Sequence, residues 1–271
     1  MNIVKAHAFG NDFLLVEESE VAGVADRPAL ARAVCDRHRG VGADGLIVYS
    51  SGPRGARMNL LNADGSYSEV SGNGVRCLAA WLARVQSMRP GESVEIETDA
   101  GVKGLELLSE DGRRLTFRAA MGQPEQVEQR TIDVDGLPIS AVTLRVGNPQ
   151  CVVLGEVTEE RLHGIAAKLA VHPVFPHGTN VELAAVERPD LIRILIWERG
   201  VGPTEASGTG ACAAAVAAMT FGGVARDVEV VSPGGAQRVA WTERGLFLTG
   251  WAEVLFDGRW ISPVAPGRTL P

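Results

Sequence analysis

The feature that most constrains this chain is an internal repeat at half its length. Gly10-Asn11 and Gly147-Asn148 each lead into an apolar run, and the two asparagines stand 137 positions apart. Gly42 precedes GLIVY as Gly178 precedes NVELA, 136 positions later. Asn62 follows MNLL as Glu198 follows IRILIW, again 136 apart. Ser71-Gly72-Asn73-Gly74 opens VRCLAAWLA, and Ser207-Gly208-Thr209-Gly210 opens ACAAAVAAM, also at 136. Landmarks in one order at one offset point to a duplicated unit. Two copies are too few for a solenoid, so the expectation is a two-domain pseudo-dimer.

Local patterns give each copy the same character. Strand-length apolar runs fall at Ile3–Val4, Phe13–Val16, Leu46–Tyr49, Met58–Leu61, Val94–Ile96 and Leu115–Phe117. In the second half they recur at Val142–Val146, Val152–Leu154, Val181–Leu183, Ile192–Trp197, Val228–Val231, Val239–Trp241 and Leu246–Leu248. Helices fit Pro28–Arg37, Gly74–Gln86, Glu159–Ala170 and Gly210–Phe221. Strands outnumber helices and do not alternate with them, which predicts an α+β fold rather than a doubly wound parallel sheet. The boundary is expected near Ala119 to Pro124. That gives domains of 1–119, with a C-terminal strand at about 260–271, and 120–259.

Several chemistries are excluded or disfavoured. Lysine occurs only at Lys5, Lys103 and Lys168, none in a loop suited to a Schiff base, and no GxxxxGK[ST] segment is present. The five histidines do not pair with Cys or acid at metal-ligand spacing, so no metal is expected. Gly40-Val41-Gly42-Ala43-Asp44-Gly45 matches GxGxxG but has a helix before it and a strand after, the reverse of a dinucleotide site. Neither serine turn carries the first glycine of GxSxG. A formal charge of −7 argues against nucleic-acid and anionic-membrane surfaces. Ala211 to Ala225 is too weakly apolar for a membrane span. No leader is expected at the N-terminus, and Cys35, Cys77, Cys151 and Cys212 form no CxxC pair, so reduced thiols in a cytoplasmic protein are expected. A homodimer is compatible with the sequence, which is itself silent on oligomeric state.

Each SGxG turn leads into an Ala-rich helix. Serine is a favoured N-cap, and the free first-turn amides with the positive helix end attract a carboxylate. If both turns face one interdomain cleft, a carboxylate held there has its α-carbon between the two cap side chains. One side chain can remove the α-proton and the other return it on the opposite face, a two-base epimerisation without a cofactor.

HAFGNDF, HRGVGADG, NADGSYSEVSGNGVRC, GNPQCVV, GTNVELA and WERGVGPTEASGTGACAA together resemble the signature segments of the diaminopimelate epimerase family, in order and over nearly the whole chain. The resemblance implies two homologous, pseudo-twofold-related domains, each a mainly antiparallel sheet wrapped around a central helix. It also implies no cofactor, and interconversion of LL- and meso-diaminopimelate for lysine and cell-wall biosynthesis. Asn11, Asn62, Asn148, Asn180, Glu198 and Arg199 match substrate-binding positions of the family. Gly72-Asn73 and Gly208-Thr209 match its carboxylate-holding turns. The residue types agree: an arginine pairs bidentately with a carboxylate, a glutamate with an ammonium.

One departure bears on the chemistry. The family has cysteines before GNG and GTG, and this chain has Ser71 and Ser207. A thiol is readily tuned to a thiolate at a helix N-terminus, whereas a hydroxyl needs an adjacent base. Glu69 and Glu205, each two residues before a serine, are candidates for that base, although acids at a helix N-terminus also serve the dipole. Cys77 and Cys212 lie inside the helices and read as structural thiols. The pattern fits an isomerase working on diaminopimelate or another amino acid, a non-catalytic amino-acid-binding relative, or paired Cys→Ser substitutions that trap a ligand. Gln150, Gly45 and AHAFG are lesser departures at the rim of the site.

Overall fold

The computed structural model describes residues 1–261. The chain divides into two compact units, Met1–Ala119 with the chain from Trp251 onward, and Ala120–Gly250. The expected strand at about 260–271 lies outside the described residues beyond Ile261; the last described strand ends at Arg259.

The first unit runs β1 (Asn2–Ala8), β2 (Asn11–Glu17), α1 (Glu18–Val21), α2 (Arg27–Cys35), β3 (Gly45–Gly52), β4 (Gly55–Asn62) and β5 (Tyr67–Ser68). It continues through α3 (Gly72–Gln86), β6 (Ser93–Thr98), β7 (Gly101–Asp111) and β8 (Arg114–Gly122), whose last residues enter the second unit. The second unit runs β9 (Glu125–Val134), β10 (Leu137–Val146), β11 (Asn148–Leu154), α4 (Glu159–Arg161), α5 (Ala167–Ala170), β12 (Asn180–Arg188), β13 (Leu191–Glu198) and β14 (Gly202–Thr204). After α6 (Gly208–Ala217) come β15 (Asp227–Ser232), β16 (Gly235–Thr242) and β17 (Gly245–Arg259). β17 pairs with β16 through Thr249 and, past its midpoint, with β1 from Glu253 onward.

The repeat is visible in strand register. β3 pairs antiparallel with β4 so that Gly45 faces Asn62 and Ile47 faces Leu60, and β5 adds Ser68 opposite Leu60. In the second unit Glu182 faces Ile196, and β14 adds Thr204 opposite Ile196. β2–β3 and β11–β12 are the parallel pairs preceding them. Every other sheet contact in this core is antiparallel except β4–β6 and β13–β15, which flank the helix crossovers in each unit.

Each central helix exists because a serine starts it and strands enclose it. Ser71 Oγ accepts the Gly74 amide at 3.1 Å, and Ser87 in the left-handed conformation closes α3. Ser207 Oγ accepts the Gly210 amide at 3.2 Å to start α6. Residues Ala211 through Ala218 are all buried, packed by Val142, Leu144, Val152, Ala184, Ile194 and Ile196 on the surrounding strands. Alanine suits this helix because small side chains let strands approach closely on every side while helix propensity stays maximal.

β9 carries no sequence signal because most of its residues are exposed and polar. It is held by a two-residue Asp135-Gly136 turn with positive φ at both positions, the hairpin geometry that matches strand twist. The expected helix Glu159–Ala170 is present but contains a π turn at Leu162–Ala166, and α6 likewise continues into a π turn at Ala218–Gly222. An inserted residue of that kind leaves the apolar pattern nearly intact, so periodicity does not reveal it. Among the described residues no helix is long and apolar enough to cross a membrane.

Candidate active site

In the first unit, Asn11 meets the Ser71-Gly72-Asn73 turn at the start of α3, and Asn62 ends a neighbouring strand. Asn73 is buried, and its Nδ2 donates to Asn11 Oδ1 at 3.3 Å. Asn62 ends β4, and its Nδ2 donates to Ser66 Oγ at 2.9 Å. Ser71 and Gly72 are half-buried. Among the described residues the Gly74 amide is the hydrogen-bond partner of Ser71 Oγ, and no carboxylate touches it.

This group rests on residues that sequence reasoning left aside. Asn11 Nδ2 donates to Asp44 Oδ2 at 2.9 Å, and the Asp12 amide donates to the same oxygen at 3.0 Å. Asp44 therefore does more than form a turn: it orients Asn11. Arg37 forks onto Asp12 at 2.8 and 3.1 Å and reaches Asp44 at 2.8 Å, with Lys5 Nζ 2.9 Å from Asp12 Oδ2. Beneath the turn, the buried Arg76 donates to Asn73 Oδ1 and stacks over Phe9 at 5.5 Å. Asp64 forms the turn after β4, accepting the Ser66 amide at 2.8 Å.

Burial raises the proton affinity of Asp12, but the Arg37 and Lys5 contacts outweigh it and hold the carboxyl below its ordinary 3.8. A folded value below the unfolded one gives stability that is present above about pH 4 and is lost as pH falls through the folded value. Asp12→Asn is therefore expected to cost about 1.5–3 kcal/mol near neutral pH, the worth of hydrogen bonds to a charged group. The deficit should shrink below about pH 3 in parallel urea unfolding curves; a deficit independent of pH would refute the ion-pair account.

In the second unit, the predicted residues sit at one end of the strands facing α6. Asn180 is buried; its Oδ1 accepts the Arg199 amide at 2.9 Å and its Nδ2 donates to Pro149 O at 3.1 Å. Asn148 Oδ1 accepts Gln150 Nε2 at 2.6 Å. Gly208 is buried, and Thr209 is half-buried with its Oγ1 3.5 Å from Ser207 Oγ. Glu198 and Arg199, adjacent at the end of a strand, part company. Arg199 is exposed and its Nη1 donates to His177 O at 3.2 Å. Glu198 turns toward the start of α6. Burial raises its proton affinity above the ordinary carboxylate value, and the nearby Ser207 hydroxyl offsets part of that rise.

Ser207 Oγ accepts from Gly210 N and lies near enough to Glu198 for its hydroxyl to favour that carboxyl's ionised form. Glu69 and Glu205, the carboxylates nearest in sequence, are exposed, and their side chains make no hydrogen bond or ion pair among the described residues. The carboxyl whose ionised form the Ser207 hydroxyl favours is instead Glu198, at the end of β13. Cys77 and Cys212 are fully buried, as are Cys35 and Cys151. Burial pushes the Cys35 and Cys151 thiols up to about 12 and the Cys77 thiol further still, so these three are protonated structural residues. No cluster of His, Cys, Asp and Glu among the described residues could hold a metal.

Known proteins agree with this architecture. The diaminopimelate epimerase family model matches residues 3–127 and 142–255. A diaminopimelate epimerase of Desulforudis audaxviator (strain MP104C) is 39% identical over 278 residues, covering 96% of this chain and 99% of that protein. The chloroplastic diaminopimelate epimerase of Oryza sativa subsp. japonica is 36% identical over 285 residues, covering 95% and 79%. Among solved structures, a probable proline racemase from Agrobacterium radiobacter K84 gives a TM-score of 0.73 at 16% identity, covering 99% of this chain and 96% of that one. A predicted epimerase from Pseudomonas aeruginosa gives 0.73 at 16%, covering 96% and 99%. At such identities the structural likeness speaks to the fold alone. The match of sequence over both units decides the membership: this chain belongs to the diaminopimelate epimerase family and is by that membership an isomerase.

Proposed function

We propose that the chain epimerises the α-carbon of an amino acid without a cofactor, with diaminopimelate, LL to meso, as the substrate. The observation that carries the reading is the approach of Glu198 to Ser207, a helix cap whose hydroxyl favours that carboxyl's ionised form. The first-turn amides after Gly72-Asn73 and Gly208-Thr209 hold the reacting carboxylate, and Arg199 with Asn11, Asn62, Asn148 and Asn180 binds the remaining polar groups.

The proton balance follows from these roles. The α-C–H bond breaks toward Ser207 Oγ as the Ser207 hydroxyl proton passes to Glu198. The electron pair left on the α-carbon spreads into the substrate carboxylate, where the amides stabilise it. Ser71 delivers its hydroxyl proton to the opposite face and is reprotonated from water, while Glu198 gives up its proton to the hydroxide left behind, which restores both groups. The other isomer runs the same steps backwards. Because Ser71 lacks a carboxylate partner, proton removal on its side is expected to be the slower direction.

The test is α-hydrogen exchange of LL- and meso-diaminopimelate in heavy water, beside the double variant Ser71→Cys, Ser207→Cys. Exchange by the chain itself, faster for one stereochemistry, is the expected result. Exchange by the cysteine variant alone would make this chain a binder with an intact cradle and no working base. No exchange by either would overturn diaminopimelate as substrate and direct the search to other amino acids.

A further inference from the structure

Glu182 is the second acid at this site, and the reading above gives it no task. It lies on β12 with relative exposure of 0%, and neither carboxyl oxygen has a hydrogen-bond partner in another described residue. A lone carboxylate in such a place costs several kcal/mol and is usually avoided or neutralised by a proton.

Register fixes where it points. Glu182 stands opposite Ile196, so it shares a sheet face with Ile196 and with Glu198 two residues on. That face packs on α6, and a Cβ added to Gly210 would come 2.6 Å from Glu182 Oε1. The carboxyl therefore abuts the first turn of the helix that Ser207 caps.

The first unit supplies an internal control. Ile47 occupies the equivalent register, opposite Leu60, and it meets the equivalent glycine: a Cβ at Gly74 would come 3.0 Å from Ile47 Cδ1. The fold thus fills this position with isoleucine where no acid is needed. Asn62 stands where the second unit has Glu198. Both acids belong to one unit, the one whose serine has a base.

We propose that Glu182 and Glu198 form a carboxyl pair that keeps one proton through the neutral range, with Glu182 the protonated positioning member and Glu198 the ionised member facing Ser207. The role of Glu198 rests on the function proposed above; the shared proton does not. Burial raises the proton affinity of Glu182 well above the ordinary carboxylate range, and the charge of Glu198 raises it further. Only its own amide opposes this, and no cation bears on it among the described residues. The groups facing it are Gln150 and Val152 from β11, Asn180 on its own strand, and Ile196 and Glu198 from β13. Thr204 from β14 lies opposite Ile196, Gly210 of α6 abuts the carboxyl, and the buried Cys151 thiol of β11 feels its charge. Glu198, better served by hydroxyls, ionises first; its charge then keeps the proton on Glu182. When Ser207 passes its proton to Glu198, the pair becomes neutral and no buried charge remains on it. Above the pH at which Glu182 ionises, two negative charges share the pocket and the arrangement fails.

Carboxyl-carbon NMR of the glutamate-labelled whole chain tests this without relying on turnover. One glutamate carboxyl is expected to stay protonated near neutral pH and to vanish from the spectrum in Glu182→Gln. Exchange by the native chain should fall on the alkaline side, and that fall should be absent in Glu182→Gln while the acid-side fall remains. Glu182→Ile, the residue used by the first unit, is the variant expected to fold where glutamine does not, and it should lack the same protonated signal. A spectrum with no protonated glutamate near neutral pH, or one that keeps it in both variants, overturns the pair. An absence of diaminopimelate exchange would overturn the substrate reading and leave the NMR result to decide the pair by itself.

Discussion

Glu198→Gln is expected to lower α-hydrogen exchange by about 10²–10⁴-fold, the usual contribution of a positioned general base. Glutamine has nearly the same size and still offers an oxygen to the Ser207 hydroxyl, so the cap and the start of α6 should survive. What it cannot do is take a proton. A serine hydroxyl is a far weaker acid than a thiol, and without a carboxylate beside it the α-proton has no route off the substrate. The substitution separates the two roles Glu198 could have. If it only bound an ammonium group, the loss would fall on KM; if it serves Ser207, the loss falls on kcat and on both directions of exchange alike. Exchange rates in heavy water for both stereoisomers, with circular dichroism as the check on folding, read this directly. Retention of activity within about threefold would sink Glu198 as the base.

Gly210→Ala should destabilise the protein by roughly 1–3 kcal/mol, the cost of forcing an extra group into a packed site. Alanine is normally the better helix residue, so the expected sign is opposite to propensity. The reason is the carboxyl of Glu182, 2.6 Å from the new Cβ, with Ser207 Oγ and Cβ each at 3.2 Å. Glu182 is walled in on all sides and cannot simply swing away. Gly74→Ala, at the matching place in the first unit, comes closest to the flexible end of an isoleucine side chain at 3.0 Å, with Ser71 Cβ at 3.3 Å, and should cost less. Combining Gly210→Ala with Glu182→Ala should recover part of the loss, a coupling of about 0.5–3 kcal/mol in a double-mutant cycle. Additive effects in thermal or urea unfolding would show that the helix start and the buried acid are independent.

Both expectations turn on residues that differ in how visible they were. The serine turns were legible because capping is local: a hydroxyl, a glycine three residues on and an alanine-rich run lie within one stretch of chain. The buried acid was not. In NVELA, Val181 and Leu183 alternate with Glu182, a pattern that reads as one buried and one solvated face. Here both faces are covered, one by α6 and its cluster, the other by the layer containing Leu162, Ala166 and Leu169. Glu205, two residues before Ser207, had the right strand phase and the wrong surroundings, since it ends exposed. Asp44 and Arg37 were likewise invisible as partners of Asn11, because their meeting depends on the turn after α2 bringing them to the start of β2.

The amino-acid order by itself determined the duplication, the α+β character, the two serine-capped helices and the family, because each is written in spacing or in contiguous segments. Tertiary structure alone decided which carboxyl comes near Ser207, and that the two halves are unequal: Glu182 and Glu198 in one, Ile47 and Asn62 in the other. Proton affinity depends on burial and on charges brought close across strands, and neither register nor burial can be read along a single chain.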